Sequence, residues 1–187
     1  MKKWISMLLI LCMALSLLPF GAAAAGFQDV KTGDYFYDAV QWAVGHEPQI
    51  TKGTSDTTFS PDDTCKRCEV VTFLWRASGA EKATGTNPFA DVKAGDYYYD
   101  AVLWAVEKGI TIGTSATTFS PELTCTNAHM LTFLYRTLGS PNATGAEPWY
   151  ADAMNWAVNA KVAPAATNPN ADCPRRDVVQ FLYLALK

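Results

Sequence analysis

Apolar residues fall along this chain in two helical rhythms that recur. Ala39, Trp42 and Ala43, and again Ala101, Trp104 and Ala105, take the three-and-four spacing that puts side chains on one face of a helix. A second stripe follows each of these. It consists of Val70, Phe73, Leu74 and Ala77 in one place and Met130, Phe133, Leu134 and Thr137 in the other, with Thr137 the weak member. The first type of helix is expected to start near Asp34, Asp96 or Tyr150, with Asp34 and Asp96 capping free amides. It should end at Gly45 and Pro48 in the first instance and at Gly109 in the second. The intervening segments are Thr-rich, carry Phe-Ser-Pro, and are too short and too punctuated for a large sheet. The pattern therefore predicts helix, loop, helix.

The rhythm repeats because the sequence repeats. Phe27 opens FQDVKTGDYFYDAVQWAV and Phe89 opens FADVKAGDYYYDAVLWAV. Gly53 to Cys65 reads GTSDTTFSPDDTC, and Gly113 to Cys125 reads GTSATTFSPELTC. A decayed third copy begins near Trp149, where Ala153 and Trp156 keep step with Ala101 and Trp104, and it ends in CPRRDVVQFLYLALK. It lacks the F-x-D-V opening, and Thr167 stands where the others have Phe59 and Phe119. The divisions expected are 26–82, 83–142 and 143–187, joined by linkers rich in Gly, Ala, Thr and Pro. A pair of short helices cannot close its own core, so the three units should pack together.

These motifs resemble the S-layer homology (SLH) family: the F-x-D-V opening, the Y-x-D-A-V-x-W-A-V helix, the loop ending in T-F-S-P, and a second helix opening on a T-R-A-E-like block. The resemblance runs from Phe27 to Lys187. It implies an all-α, pseudo-threefold bundle of three helix-loop-helix repeats with long connecting loops. It further implies a secreted, non-catalytic module of the bacterial cell surface that holds cell-wall polysaccharide non-covalently. The glycans implied include ones bearing pyruvate ketals, bound in grooves between neighbouring units.

The T-R-A-E block also has a physical reading of its own. Thr caps the helix, Glu three residues on caps back, and Arg at the first helical position sits beside free amides at the positive helix end. A glycan carboxylate arriving there would meet N–H groups and a guanidinium able to bind it bidentately. The first copy reads Lys66, Arg67, Cys68, Glu69; the second Thr126, Asn127, Ala128, His129; the third Pro174, Arg175, Arg176, Asp177. Arg67, Glu69, Arg175, Asp177 and Asn127 are thus the candidate glycan contacts, with Ser55 and Ser115 from the loops. The two copies with Arg are the chemically competent ones. Trp42, Trp104 and Trp156 offer either an aromatic groove for sugar rings or a buried stripe, and their spacing favours the stripe.

Composition narrows the alternatives. A chain with 49% hydrophobic residues can bury a core. A net charge of −3 argues against nucleic acid held by bulk phosphate attraction. Lys2 and Lys3, the apolar run to Phe20 and the small residues Gly21 to Ala25 make residues 1–25 a cleavable export signal, with no stable membrane insertion after cleavage. Export permits disulfides among Cys65, Cys68, Cys125 and Cys173, in three pairings between which the sequence does not choose. The economical alternative is that Cys65, Cys125 and Cys173 act as small hydrophobes stapling onto Val70, Met130 and Val178. Cys65-x-x-Cys68 evokes a redox pair, but no βαβ pattern surrounds it. Asp38 and Asp100 recur at helix starts, which suits salt pairing better than hydrolysis. No metal or cofactor is implied. The rivals to wall anchoring are a structural or protein-interaction bundle, with other wall proteins as partners, and, more weakly, a CxxC enzyme.

Overall fold

The computed structural model describes residues 26–140 and 142–187, so the export signal expected at 1–25 lies outside the described residues. The described residues form six α-helices: α1 (Tyr37–Gly45), α2 (Arg67–Ala77), α3 (Tyr99–Glu107), α4 (Asn127–Thr137), α5 (Ala151–Asn159) and α6 (Arg175–Leu186). Among them pairing outside helices is confined to isolated bridges, so the architecture is all-α.

The helices are not packed as the repeats are written. The first helix of each copy lies on the second helix of the copy before it: α3 on α2, α5 on α4, and α1 on α6 to close the ring. The second helices α2, α4 and α6 meet one another at the centre. Every repeat therefore completes its neighbour, as expected where one helix pair cannot bury its apolar face alone.

The axis is built from the residues just before the central helices. Cys125 N donates to Cys65 O (2.8 Å), Cys173 N to Cys125 O (2.9 Å) and Cys65 N to Cys173 O (3.4 Å), a closed cycle of main-chain bonds. Bridges Lys66 to Thr124, Thr126 to Asp172 and Thr64 to Pro174 extend it. The three cysteines are fully buried, as are their staple partners Val70, Met130 and Val178. The four cysteines among the described residues stand as free, buried thiols in this structure.

The first helices begin later than expected. α1 starts at Tyr37 and α3 at Tyr99 because Asp34 and Asp96 cap the turn ahead of them instead, accepting from Lys31 N and Lys93 N at 2.7 Å. The F-x-D-V aspartates have a different task. Asp29 accepts from Phe59 N (2.9 Å) and Ser60 N (2.7 Å), and Asp91 does the same for Phe119 and Ser120. They hold the T-F-S-P loops in place, with Phe27 packed on Phe59 and Phe89 on Phe119.

Candidate functional site

Where each central helix begins, it presses into the loop of the next repeat. Arg67, the first residue of α2, reaches the second loop, where its Nε donates to Phe119 O at 3.1 Å. Its guanidinium lies between the rings of Phe119 (4.9 Å) and Phe133 (5.1 Å). Arg175, the first residue of α6, does the same to the first loop: Nε to Phe59 O (3.0 Å), Nη2 to Thr51 Oγ1 (3.1 Å), and the rings of Phe59 and Phe73 on either side. Arg67 is 2% exposed and Arg175 4%. Burial pulls the Arg67 guanidinium down from its usual range. Neither arginine forms an ion pair among the described residues. Two cations are thus inside the protein without a salt bridge among the described residues, met by carbonyl oxygen, one hydroxyl, aromatic faces, the Cys65 thiol beside Arg175 and the Asp91 charge that Arg67 feels.

The amides expected to be free beside them are occupied. Arg67 N donates to Leu123 O (2.9 Å) and Cys68 N to Pro121 O (3.1 Å), both in the neighbouring loop. Arg175 N and Arg176 N donate to Asp63 O and Pro61 O in the first loop, and Asn127 N and Ala128 N to Ala171 O and Pro169 O in the third. A glycan carboxylate held by exposed helix-start amides is therefore ruled out by geometry, because the loop carbonyls of the next repeat already take those donors. What survives is the guanidinium. The terminal nitrogens of Arg67 have no hydrogen-bond partner among the described residues, while Arg175 spends Nη2 on Thr51 and has the Cys65 thiol against its guanidinium.

The other expected contacts divide. Glu69 caps its own helix, accepting from Lys66 N at 2.8 Å. Asp177 accepts from Tyr35 Oη of the first repeat, and Arg176 Nε donates to the same hydroxyl at 3.1 Å. Ser55 and Ser115 are exposed turn residues, each accepting from the amide two positions on. Trp104 is buried, which removes it as a sugar platform. Trp42 and Trp156 are half-buried and lie against Tyr183 and Tyr135. The aromatic stripe is core. The functional residues that repeat-reading missed are Phe59, Phe119, Phe73 and Phe133, the ring walls of the arginine sites. Their signal was present, since a phenylalanine recurs eight positions before Arg67 and Asn127 and six positions after each.

The third junction departs from the other two. Asn127 stands in the arginine's place and donates from Nδ2 to Asn168 O at 2.9 Å, with Thr167 in place of the phenylalanine. A cleft of about 570 Å³ opens there, lined by Asn127, Val162, Thr167, Gln180 and Phe181, with Tyr35 and Asp177 at its edge.

Comparison with known proteins agrees with this architecture. Residues 26–71 and 88–131 match the S-layer homology domain. The chain belongs to that family. It is 31% identical over 180 residues to the Surface-layer 125 kDa protein of Lysinibacillus sphaericus, covering 88% of this chain and 15% of that protein. It is 27% identical over 193 residues to the Middle cell wall protein of Brevibacillus brevis, covering 100% of this chain and 18% of that one. An Endoglucanase of Bacillus sp. (strain KSM-635) is 31% identical over 144 residues, covering 72% of this chain and 15% of the enzyme. The chain thus spans less than a fifth of the length of these relatives. The family match and the surface-layer and cell-wall relatives support a cell-wall anchoring module at the cell surface. Among the described residues no helix is long and apolar enough to cross a membrane.

Proposed function

We propose that the chain is an exported, non-catalytic wall-binding module whose first two arginine junctions hold an anionic cell-wall polysaccharide. The observation that carries this is the pair of buried guanidiniums, Arg67 and Arg175, without a salt bridge among the described residues. Burying an uncompensated charge is costly, and natural interiors normally pair it. A carboxylate from outside, such as a pyruvate ketal or uronic acid on the glycan, supplies the missing counter-charge through the uncommitted Nη atoms. The Phe pairs that flank each guanidinium fix its plane, which suits a two-point contact. The surface-layer and cell-wall relatives support the same placement at the wall. The unit divisions 26–82, 83–142 and 143–187 belong to this reading, with the third copy as the degenerate one.

The test is co-sedimentation of the chain with purified wall sacculi, before and after extraction of the secondary polysaccharide. Retention that disappears on extraction is the expected result; equal recovery in the supernatant with and without wall ends the proposal. A thermal-shift titration then compares a pyruvylated monosaccharide with the same sugar lacking the ketal, and only the first should raise the melting temperature. The second reading, a bundle for protein contacts alone, draws on the fact that both arginines already fasten neighbouring loops. It requires no response to either sugar.

A further inference from the structure

We propose that the third junction is a separate subsite, selective for an uncharged sugar ring. The proposal extends the wall-glycan reading to a cleft with different chemistry. In the first and second junctions the corresponding space is filled: a guanidinium, two phenylalanine rings and a threonine hydroxyl or methyl occupy it. In the third, every one of the filling groups except Phe181 is shortened. Asn127 replaces the arginine and Thr167 the loop phenylalanine. Ala163, whose amide bonds Ala157 O just as Thr51 bonds Ala43 O, replaces the threonine. Leu184 stands where Arg76 and Arg136 donate to Ile50 O and Ile110 O. Four independent truncations at one place leave a cleft of about 570 Å³, within the range that takes a small ligand.

Two amide oxygens at this cleft lack partners. Asn127 is 7% exposed and spends its Nδ2 on Asn168, leaving Oδ1 with no hydrogen bond among the described residues. Gln180 Oε1, on the facing turn of α6, is likewise covered and unpartnered. Unmet buried acceptors are a cost, and the last torsion of Gln180 is soft enough to turn its amide toward a donor. Both oxygens call for donors, and Asp177 adds negative charge at the edge. Lys161, exposed at the rim, is the cation among the lining residues. A carboxylate would face acceptors here. Sugar hydroxyls or an acetamido N–H would satisfy them, with the ring's C–H face on Phe181 and Pro164.

The experiment follows the side-chain amide resonances of Asn127 and Gln180 by NMR while the chain is titrated with N-acetylglucosamine, N-acetylmannosamine and glucose, with glucuronate as the charged control. Saturable shifts at both amides with at least one uncharged sugar, and at least tenfold weaker response to glucuronate, are expected. Leu184→Arg, at an exposed site, should abolish the response by restoring the arginine of the other repeats; Thr167→Phe should do so by refilling the cleft. No saturable shift with any of the three, or a stronger one with glucuronate, overturns the proposal, as does an undiminished response in folded Leu184→Arg. Wall retention without an amide response would sink this subsite alone. An amide response without wall retention would sink the arginine-anion reading alone.

Discussion

Replacing Arg175 by alanine should weaken the whole ring, because this side chain ties α6 to the loop of the first repeat and so fastens the contact that closes the circle. The change orphans the buried carbonyl of Phe59, at about 1–3 kcal/mol. It also removes two methylenes, at roughly 0.8 kcal/mol each, and the guanidinium's contact with the Phe59 and Phe73 rings, at about 1 kcal/mol. Against these, the unfavourable burial of an unpaired charge is relieved, so the net loss should be roughly 3 kcal/mol. For a chain of this length that is a fall in melting temperature of roughly 6–12 °C. Arg175→Met keeps the stem and its ring contacts and should lose about half as much. Arg67→Ala should cost less than Arg175→Ala by about 1 kcal/mol, since Arg67 makes one hydrogen bond where Arg175 makes two. Urea titration and thermal melts followed by far-UV circular dichroism measure all three. If alanine at 175 costs under about 0.5 kcal/mol, or methionine costs as much as alanine, the guanidinium is not the fastener described.

Three further outcomes are expected. Gly53→Ala should destabilise by at least about 1–2 kcal/mol in the same melts. The residue sits at φ +82°, and an added Cβ would lie 2.6 Å from Thr58 O and 2.7 Å from the Phe27 ring; a neutral result would contradict that packing. Burial pushes the Cys65 thiol up to about 12 and raises Cys68, Cys125 and Cys173 as well, so a thiol reagent at neutral pH should modify the cysteines only after unfolding. Fast labelling of the native chain would revive the redox alternative. Burial and the Arg67 charge hold His129 below its ordinary value, so the folded chain favours the neutral ring. Its contribution is fully present above about pH 6.5 and is lost as pH falls below that value. His129→Gln should flatten this part of a stability profile measured between pH 7 and pH 5, and an unchanged slope would exclude His129 as its source.

Much of this was legible in the chain because a repeat displays its constraints more than once. The second helices begin where the blocks at Arg67, Asn127 and Arg175 place them, and Cys65, Cys125 and Cys173 behave as the staple spacing implies. Asp34 shows what local reading misses. A carboxylate three residues before a helix looks like its cap, yet the turn at Lys31 offers a closer amide and takes it. The arginines show the larger gap. Sequence sees the helix that carries Arg67 but not the loop of the next copy that supplies Phe119 and Leu123, and those non-local groups convert an exposed anion nest into a buried clamp. Partner exchange between copies is invisible to any argument that treats each repeat as a closed unit. The third cleft follows from the same blindness, because Asn127 and Thr167 look like separate decays until the fold sets them together.

The position of the arginines has one more consequence for how such a module would work. A residue that both fastens adjacent repeats and offers its remaining nitrogens to the glycan cannot bind without also strengthening the ring. Ligand that engages the folded chain alone adds stability in proportion to RT ln(1 + [L]/Kd). Here that gain falls on the contacts between α2 and the second loop, and between α6 and the first, where the arginine side chains add to the main-chain bonds. On the anionic-glycan reading, the chain is least stable away from the wall and most stable on it. On the same reading, the buried positive charge that weakens the free molecule is the charge an acidic glycan would neutralise, so the cost of keeping Arg67 and Arg175 without a salt bridge would also be the source of a preference for acidic sugar.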